Sequence, residues 1–159
     1  MYTDANLLVS GVLAGTAITP TITGQTVTGA SAVLSTNTID LLTARDIGEG
    51  NDLLKARVEV VTAFTGLTAL QVDVIQADDA ALSSNVAVIG SSGAIPVASL
   101  TLGARFEVEL NARIGSKGQR YMGLRYTPTG TGTAGAVVGD FGDGYTDGQK
   151  FYPSGFAVL

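Results

Sequence analysis

A chain of 159 residues with 45% hydrophobic and 14% charged side chains can bury one core and is too apolar to stay disordered. It contains no Cys and no His, which excludes disulfides, thiolate metal sites and cysteine nucleophiles, and removes the usual general base and the commonest metal ligand. The net charge of −5 has the wrong sign for a nucleic-acid binder, so neither an enzyme, a cofactor protein nor a DNA-binding domain is expected.

Taken from the start, Leu7-Leu8-Val9 through Leu13-Ala14 is apolar enough to mimic a signal-peptide core. No basic residue precedes it, the first being Arg45, and Asp4 sits where positive charge belongs. No run of about 18 apolar residues follows, so a chain made and used without crossing a membrane is expected. Residues 14–34 are rich in Gly, Ala, Ser and Thr and read as an inserted loose hairpin or extended arm. A short strand is expected at 38–42, then a turn at Gly48-Glu49-Gly50-Asn51.

The strongest patterns have period two. Leu54-Lys55-Ala56-Arg57-Val58-Glu59-Val60 alternates apolar and charged residues, and Leu70-Gln71-Val72-Asp73-Val74 repeats it, so each predicts a strand with one buried face. A single helical turn is expected over 78–82, where the adjacent Asp78 and Asp79 would cap it. Strands at 86–89 and 95–98 flank a turn at Ser91-Ser92-Gly93. Another spans 105–110, before a turn at Gly115-Ser116-Lys117-Gly118. In the strand over 120–126, Met122, Leu124 and Tyr126 share a face opposite Arg125. Pro128-Thr129-Gly130 reads as a turn before a last strand at 134–140. Residues 141–159 hold half of the ten aromatics among Gly and Pro, and predict an irregular C-terminal arm that covers its rings either on the chain's own sandwich or on a neighbouring subunit. About eight short strands with one greasy face each imply an all-β, antiparallel two-sheet sandwich, of jelly-roll connectivity, as one domain over 1–159.

The chemical motifs are weak. Gly130-Thr131-Gly132-Thr133-Ala134-Gly135 matches the dinucleotide-binding glycine spacing, but a β-like segment follows where that site needs a helix. Asp140, Asp143 and Asp147 space three carboxylates through a Gly-rich loop without any established Ca²⁺-loop pattern. Ser91 and Ser92 have no His partner. Charge is distributed unevenly: residues 105–125 carry Arg105, Arg113, Lys117, Arg120 and Arg125 against Glu107 and Glu109, a local +3 on an acidic body. Such a stripe suits docking onto an acidic protein neighbour, or is a solvated strand face. The candidate interface residues are therefore Arg113, Lys117 and Arg120 on the stripe and Phe151, Tyr152 and Phe156 on the arm, where aromatic anchors carry much interface energy. No catalytic, cofactor or metal residue is assigned.

Several strings in order resemble a known family. They are Met1-Tyr2-Thr3-Asp4 with Leu7-Leu8-Val9-Ser10, Ser35-Thr36-Asn37-Thr38-Ile39-Asp40-Leu41, Ala44-Arg45-Asp46-Ile47-Gly48-Glu49-Gly50, Gln76-Ala77-Asp78-Asp79-Ala80-Ala81, Ser91-Ser92-Gly93-Ala94-Ile95-Pro96, and Arg120-Tyr121 with Leu124 and Tyr126. Together they resemble the capsid cement (decoration) proteins of tailed bacteriophages over most of residues 1–140. The resemblance implies a jelly-roll homotrimer on the virion exterior, made in the host cytoplasm, that bridges major capsid protein subunits after the head expands. It implies no nucleic-acid, membrane or small-molecule partner. Residues 14–34 and those from Phe141 onward depart from the pattern. The alternative is a carbohydrate- or receptor-binding β-sandwich on a virion surface, with Tyr145, Tyr152 and Phe156 as its platforms. A carboxylate hydrolase would need an Asp/Glu pair across a cleft, and nothing selects one.

Overall fold

The computed structural model describes residues 6–15, 20–44, 54–110 and 118–143. Ten strands lie among them: β1 Leu8–Ser10, β2 Val12–Gly15, β3 Pro20–Thr23, β4 Gln25–Thr26, β5 Val33–Leu34, β6 Ile39–Asp40, β7 Leu54–Ala77, β8 Ala87–Pro96, β9 Arg105–Glu109 and β10 Tyr121–Asp143. All pairing is antiparallel. The main sheet runs β1-β10-β7-β8, with β4, β5 and β6 also on β10 and β9 on β7, while β2 and β3 pair apart as a two-stranded sheet. The all-β expectation is met.

Two expected turns are absent. The strands read at 54–60 and 70–74 are one strand of 24 residues, β7, and those at 120–126 and 134–140 are one strand of 23 residues, β10. The segment between the first two, Val61 to Ala69, is mostly Val, Thr, Phe and Leu, so β-propensity carries the strand through. Pro128-Thr129-Gly130 is not a turn. Pro128 pairs with Leu70 inside the ladder, immediately before a run of register shifts, the setting in which a sheet tolerates a missing N–H. Ser91-Ser92-Gly93 likewise lies within β8, where a bulge sits against Gln71 and Asp73 and Gly93 takes φ +66°. Residues 78–82 form a turn and no helix. The Asp79 carboxylate there accepts from the backbone N–H of Ser83 at 2.9 Å and Ser84 at 2.7 Å, satisfying donors without helical geometry. The turn expected at 48–51 lies outside the described residues.

The β7–β10 ribbon folds back on itself. Leu124 and Gly139 lie on one strand and would stand about 50 Å apart if it were straight. Yet a Cβ added at Gly139 would lie 2.8 Å from Leu124 Cδ1 and 2.7 Å from Tyr126 Oη. The bend coincides with the register shifts at Thr129–Val137. It stacks two layers. One holds β9, the first part of β7, the last part of β10, β1 and β4; the other holds β8, the rest of β7, the start of β10, β5 and β6. Between them lies one core including Val58, Val60, Leu70, Val72, Leu124, Tyr126, Val137 and Phe141, all buried. The alternation read at Met122, Leu124 and Tyr126 points into it, and Arg125 lies on the other face.

Tyr126 bridges the layers: its hydroxyl bonds Ser10 Oγ at 2.7 Å in the interior. Tyr126→Phe strands the fully buried Ser10 hydroxyl and is expected to cost about 1–3 kcal/mol, read as a lower urea midpoint at unchanged slope.

The expected arm boundary at 141 is also corrected. Phe141 is 1% exposed, pairs with Ala56 and belongs to the core, and β10 continues to Asp143. The aromatic ring finds its cover inside the chain's own sandwich. Residues 144–159, including Phe151, Tyr152 and Phe156, lie outside the described residues.

Candidate adhesive surface

The outward faces of the sheets carry ion pairs. Lys55 meets Glu107 at 2.9 Å and Glu109 at 3.6 Å, and Arg105 meets Glu59 at 3.0 Å. Arg57 holds the buried Asp140 through Nε at 2.9 Å and Nη2 at 2.5 Å. Arg125 meets the buried Asp73 at 2.8 Å. Arg120 grips Asp40 with two bonds of 2.7 Å, its guanidinium 5.0 Å from the Tyr121 ring centroid.

This pairing balances the described part of the expected basic stripe. Of its described members, Arg105, Arg120 and Arg125 are each paired with a carboxylate on another strand, so their charge is balanced in space. A count along the chain cannot see partners 46 to 80 residues away. Arg113 and Lys117 lie outside the described residues. Of the candidate interface residues, Arg120 alone is placed, and it is taken. Asp140 is equally unavailable to Ca²⁺, since both its oxygens accept from Arg57. Among the described residues no three His, Cys, Asp or Glu side chains cluster as a metal site.

The titration of these carboxylates follows their partners. The Arg120 hydrogen bond holds Asp40 down, from the ordinary 3.8 to about 2, against a smaller opposing effect of desolvation. Burial pushes Asp73 upward, but hydrogen bonds from Arg125, Gln71 and Ser91 together hold it below the ordinary value. A depressed carboxyl contributes stability that is full above pH 4 and fades as pH falls through its folded-state value. Arg120→Ala is expected to return the Asp40 titration toward 3.8 and to remove its share of the acid-side loss between about pH 4 and 2, checked by NMR titration of the Asp40 carboxyl.

Among the described residues, several aliphatic side chains are exposed. The β2–β3 hairpin is the clearest case: Val12 is 54% exposed, Leu13 40% and Ile22 43%, and their neighbours Ala14, Thr21 and Thr23 are exposed as well. Consecutive residues of a strand point to opposite faces, so both faces of this ribbon are uncovered. Two glycines set it off from the body. Gly11 takes φ +102° with Thr23 O close by, and an added Cβ at Gly24 would collide with Val61 Cγ2. The hairpin expected within 14–34 thus exists, but residues 25–34 return to β10 as β4 and β5. An isolated two-stranded ribbon is marginal in water, and its exposed aliphatics make it a candidate contact surface.

The Gly130–Gly135 run supplies the bend of the ribbon. Gly132 lies against Leu67 and Thr28, Gly135 against the Phe64 ring, and β10 continues where a dinucleotide site needs a helix. Reading by residue type missed Val12, Leu13, Ile22 and Leu102, the last 71% exposed. The signal that finds them is the absence of charge: residues 5–39 and 80–104 contain no Asp, Glu, Lys or Arg.

A family model described as Bbp16 matches residues 21–140, from the second strand of the hairpin to the end of the folded ribbon. No curated protein matches the sequence.

Proposed function

The chain belongs to the Bbp16 family, and we propose that it is a structural cement protein, binding the outer surface of an expanded phage head and bridging major capsid protein subunits. The observation that carries the reading is a two-layer slab whose described cations are all internally paired and which carries an exposed apolar ribbon at Val12, Leu13 and Ile22. Such a body is suited to sticking. The resemblance of the ordered strings to phage cement proteins supplies the partner, the virion exterior as its place and the homotrimer as its state. Jelly-roll connectivity is the finer form of the sandwich under the same reading.

Three copies engaged at once let each contact be modest, because linkage multiplies affinity. Binding only the assembled, expanded lattice then shifts the equilibrium away from rupture by mass action. The test is light scattering for oligomeric mass, followed by co-sedimentation with expanded shells, unexpanded shells and free capsid subunits. A trimer that pellets only with expanded shells is expected. A monomer that pellets with none overturns the reading, and specific signal on a glycan array would replace it with the sugar-binding alternative. Deleting residues 144–159 tests the arm without cutting β10.

A further inference from the structure

The charges of this molecule are segregated along the ribbon. Besides 5–39 and 80–104, residues 60–72 and 126–139 are also free of Asp, Glu, Lys and Arg. The fold brings part of each of these four runs together at the bend. Val60 N donates to Ala104 O at 2.9 Å, and Phe64 N to Leu100 O at 3.1 Å. Gly29 and Gly132 exchange two backbone hydrogen bonds. Gly24, at the root of the hairpin, packs on Val61 and Ala136. The nearest charges along the ribbon are already paired, Glu59–Arg105 on one layer and Asp73–Arg125 on the other. The remaining ion pairs, Lys55–Glu107, Arg57–Asp140 and Arg120–Asp40, sit toward the opposite end, where the ribbon starts and finishes.

Resting on the cement reading, we propose that the charge-free bend end, with the β2–β3 hairpin, is the face that docks, and that its occupant is a protein surface itself free of charged side chains at the contact. Its exposed side chains include the threonines Thr62, Thr65, Thr68, Thr131 and Thr133, together with Leu102 and the hairpin aliphatics. Threonine presents a methyl and a hydroxyl on a stiff χ1, so little side-chain entropy is lost on docking. Charge complementarity selects the partner. Nucleic acid and anionic lipid need cations, and a sugar needs an aromatic platform; the described side chains of this end offer neither. A partner charge desolvated against it would find no counter-charge, so the matching surface is neutral. Docking by this end leaves the ionic end in solvent and makes adhesion insensitive to salt.

The experiment measures affinity for expanded shells at 50 and 500 mM NaCl, for the full chain and for Leu13→Asp, Ile22→Asp, Leu102→Asp and Leu42→Asp. Leu42, 73% exposed beside Asp40, is the control at the ionic end. Urea midpoints confirm that the variants fold. The first three variants are expected to lose about tenfold or more in affinity, and Leu42→Asp to bind as the parent does. The parent is expected to change less than about threefold between the two salts. A parent that binds no shell overturns the cement reading, and this inference with it. A parent that binds, with all three bend-end variants unimpaired or with affinity collapsing in salt, overturns the docking face alone.

Discussion

Arg57→Ala is expected to destabilise the protein by about 3–5 kcal/mol, because it strands a buried carboxylate. Asp140 is 1% exposed and both of its oxygens accept from the Arg57 guanidinium across the β7–β10 ladder, where the two residues pair directly. The guanidinium is itself 12% exposed and also crowds Gly142, so little water can replace it. The expected result in urea unfolding is a much lower midpoint with an unchanged slope. Arg57→Met combined with Asp140→Leu removes both charges and keeps apolar volume, and should recover most of the loss. Recovery separates the cost of an unpaired charge from the cost of lost packing. A single variant within about 0.5 kcal/mol of the parent would show that water reaches Asp140 and that the pair is a surface one.

Phe64→Ala has an effect of the same size for a different reason. Phe64 is 4% exposed at the bend, with Gly135 of the opposite strand lying directly on its ring. Truncating it empties the inside of the fold at the point where the ribbon reverses, and a loss of about 3–5 kcal/mol is expected. Gly135→Ala alone should cost about 1–3 kcal/mol, since its Cβ would enter the ring. In the Phe64→Ala background the steric part of that cost disappears, so the two losses must fall short of adding. Strict additivity would mean that the two residues do not touch and that the ribbon bends elsewhere. Differential scanning calorimetry of the four proteins reads the cycle.

The strands were legible wherever charge alternated with apolar residues. Lys55, Arg57 and Glu59 outward and Ala56, Val58 and Val60 inward is a pattern only a half-buried strand satisfies. Their length was not legible. Proline and paired glycines at 128–132 carry the same local signal whether the chain turns or a sheet bends, and only pairing with Leu67–Leu70 on the neighbouring strand decides between them. The strand boundary beyond Phe141 was hidden for a related reason: the residue opens an aromatic, glycine-rich stretch, and nothing local says that Ala56 waits beside it. The surface was the least legible part. Positive charge counted along 105–125 suggested a sticky stripe, whereas the counter-ions come from Asp40, Glu59 and Asp73, far away in the chain. The adhesive candidate lay instead in what the sequence lacks, the long charge-free runs that four separate segments bring to one end.

The account stands on adhesion to an assembled shell, and thermal rupture of that shell measures it most directly. Expanded heads stripped of this protein and then resupplied with it should rupture at a higher temperature, with the gain rising with concentration until the sites fill. Heads that rupture at the same temperature with and without saturating protein would contradict the account.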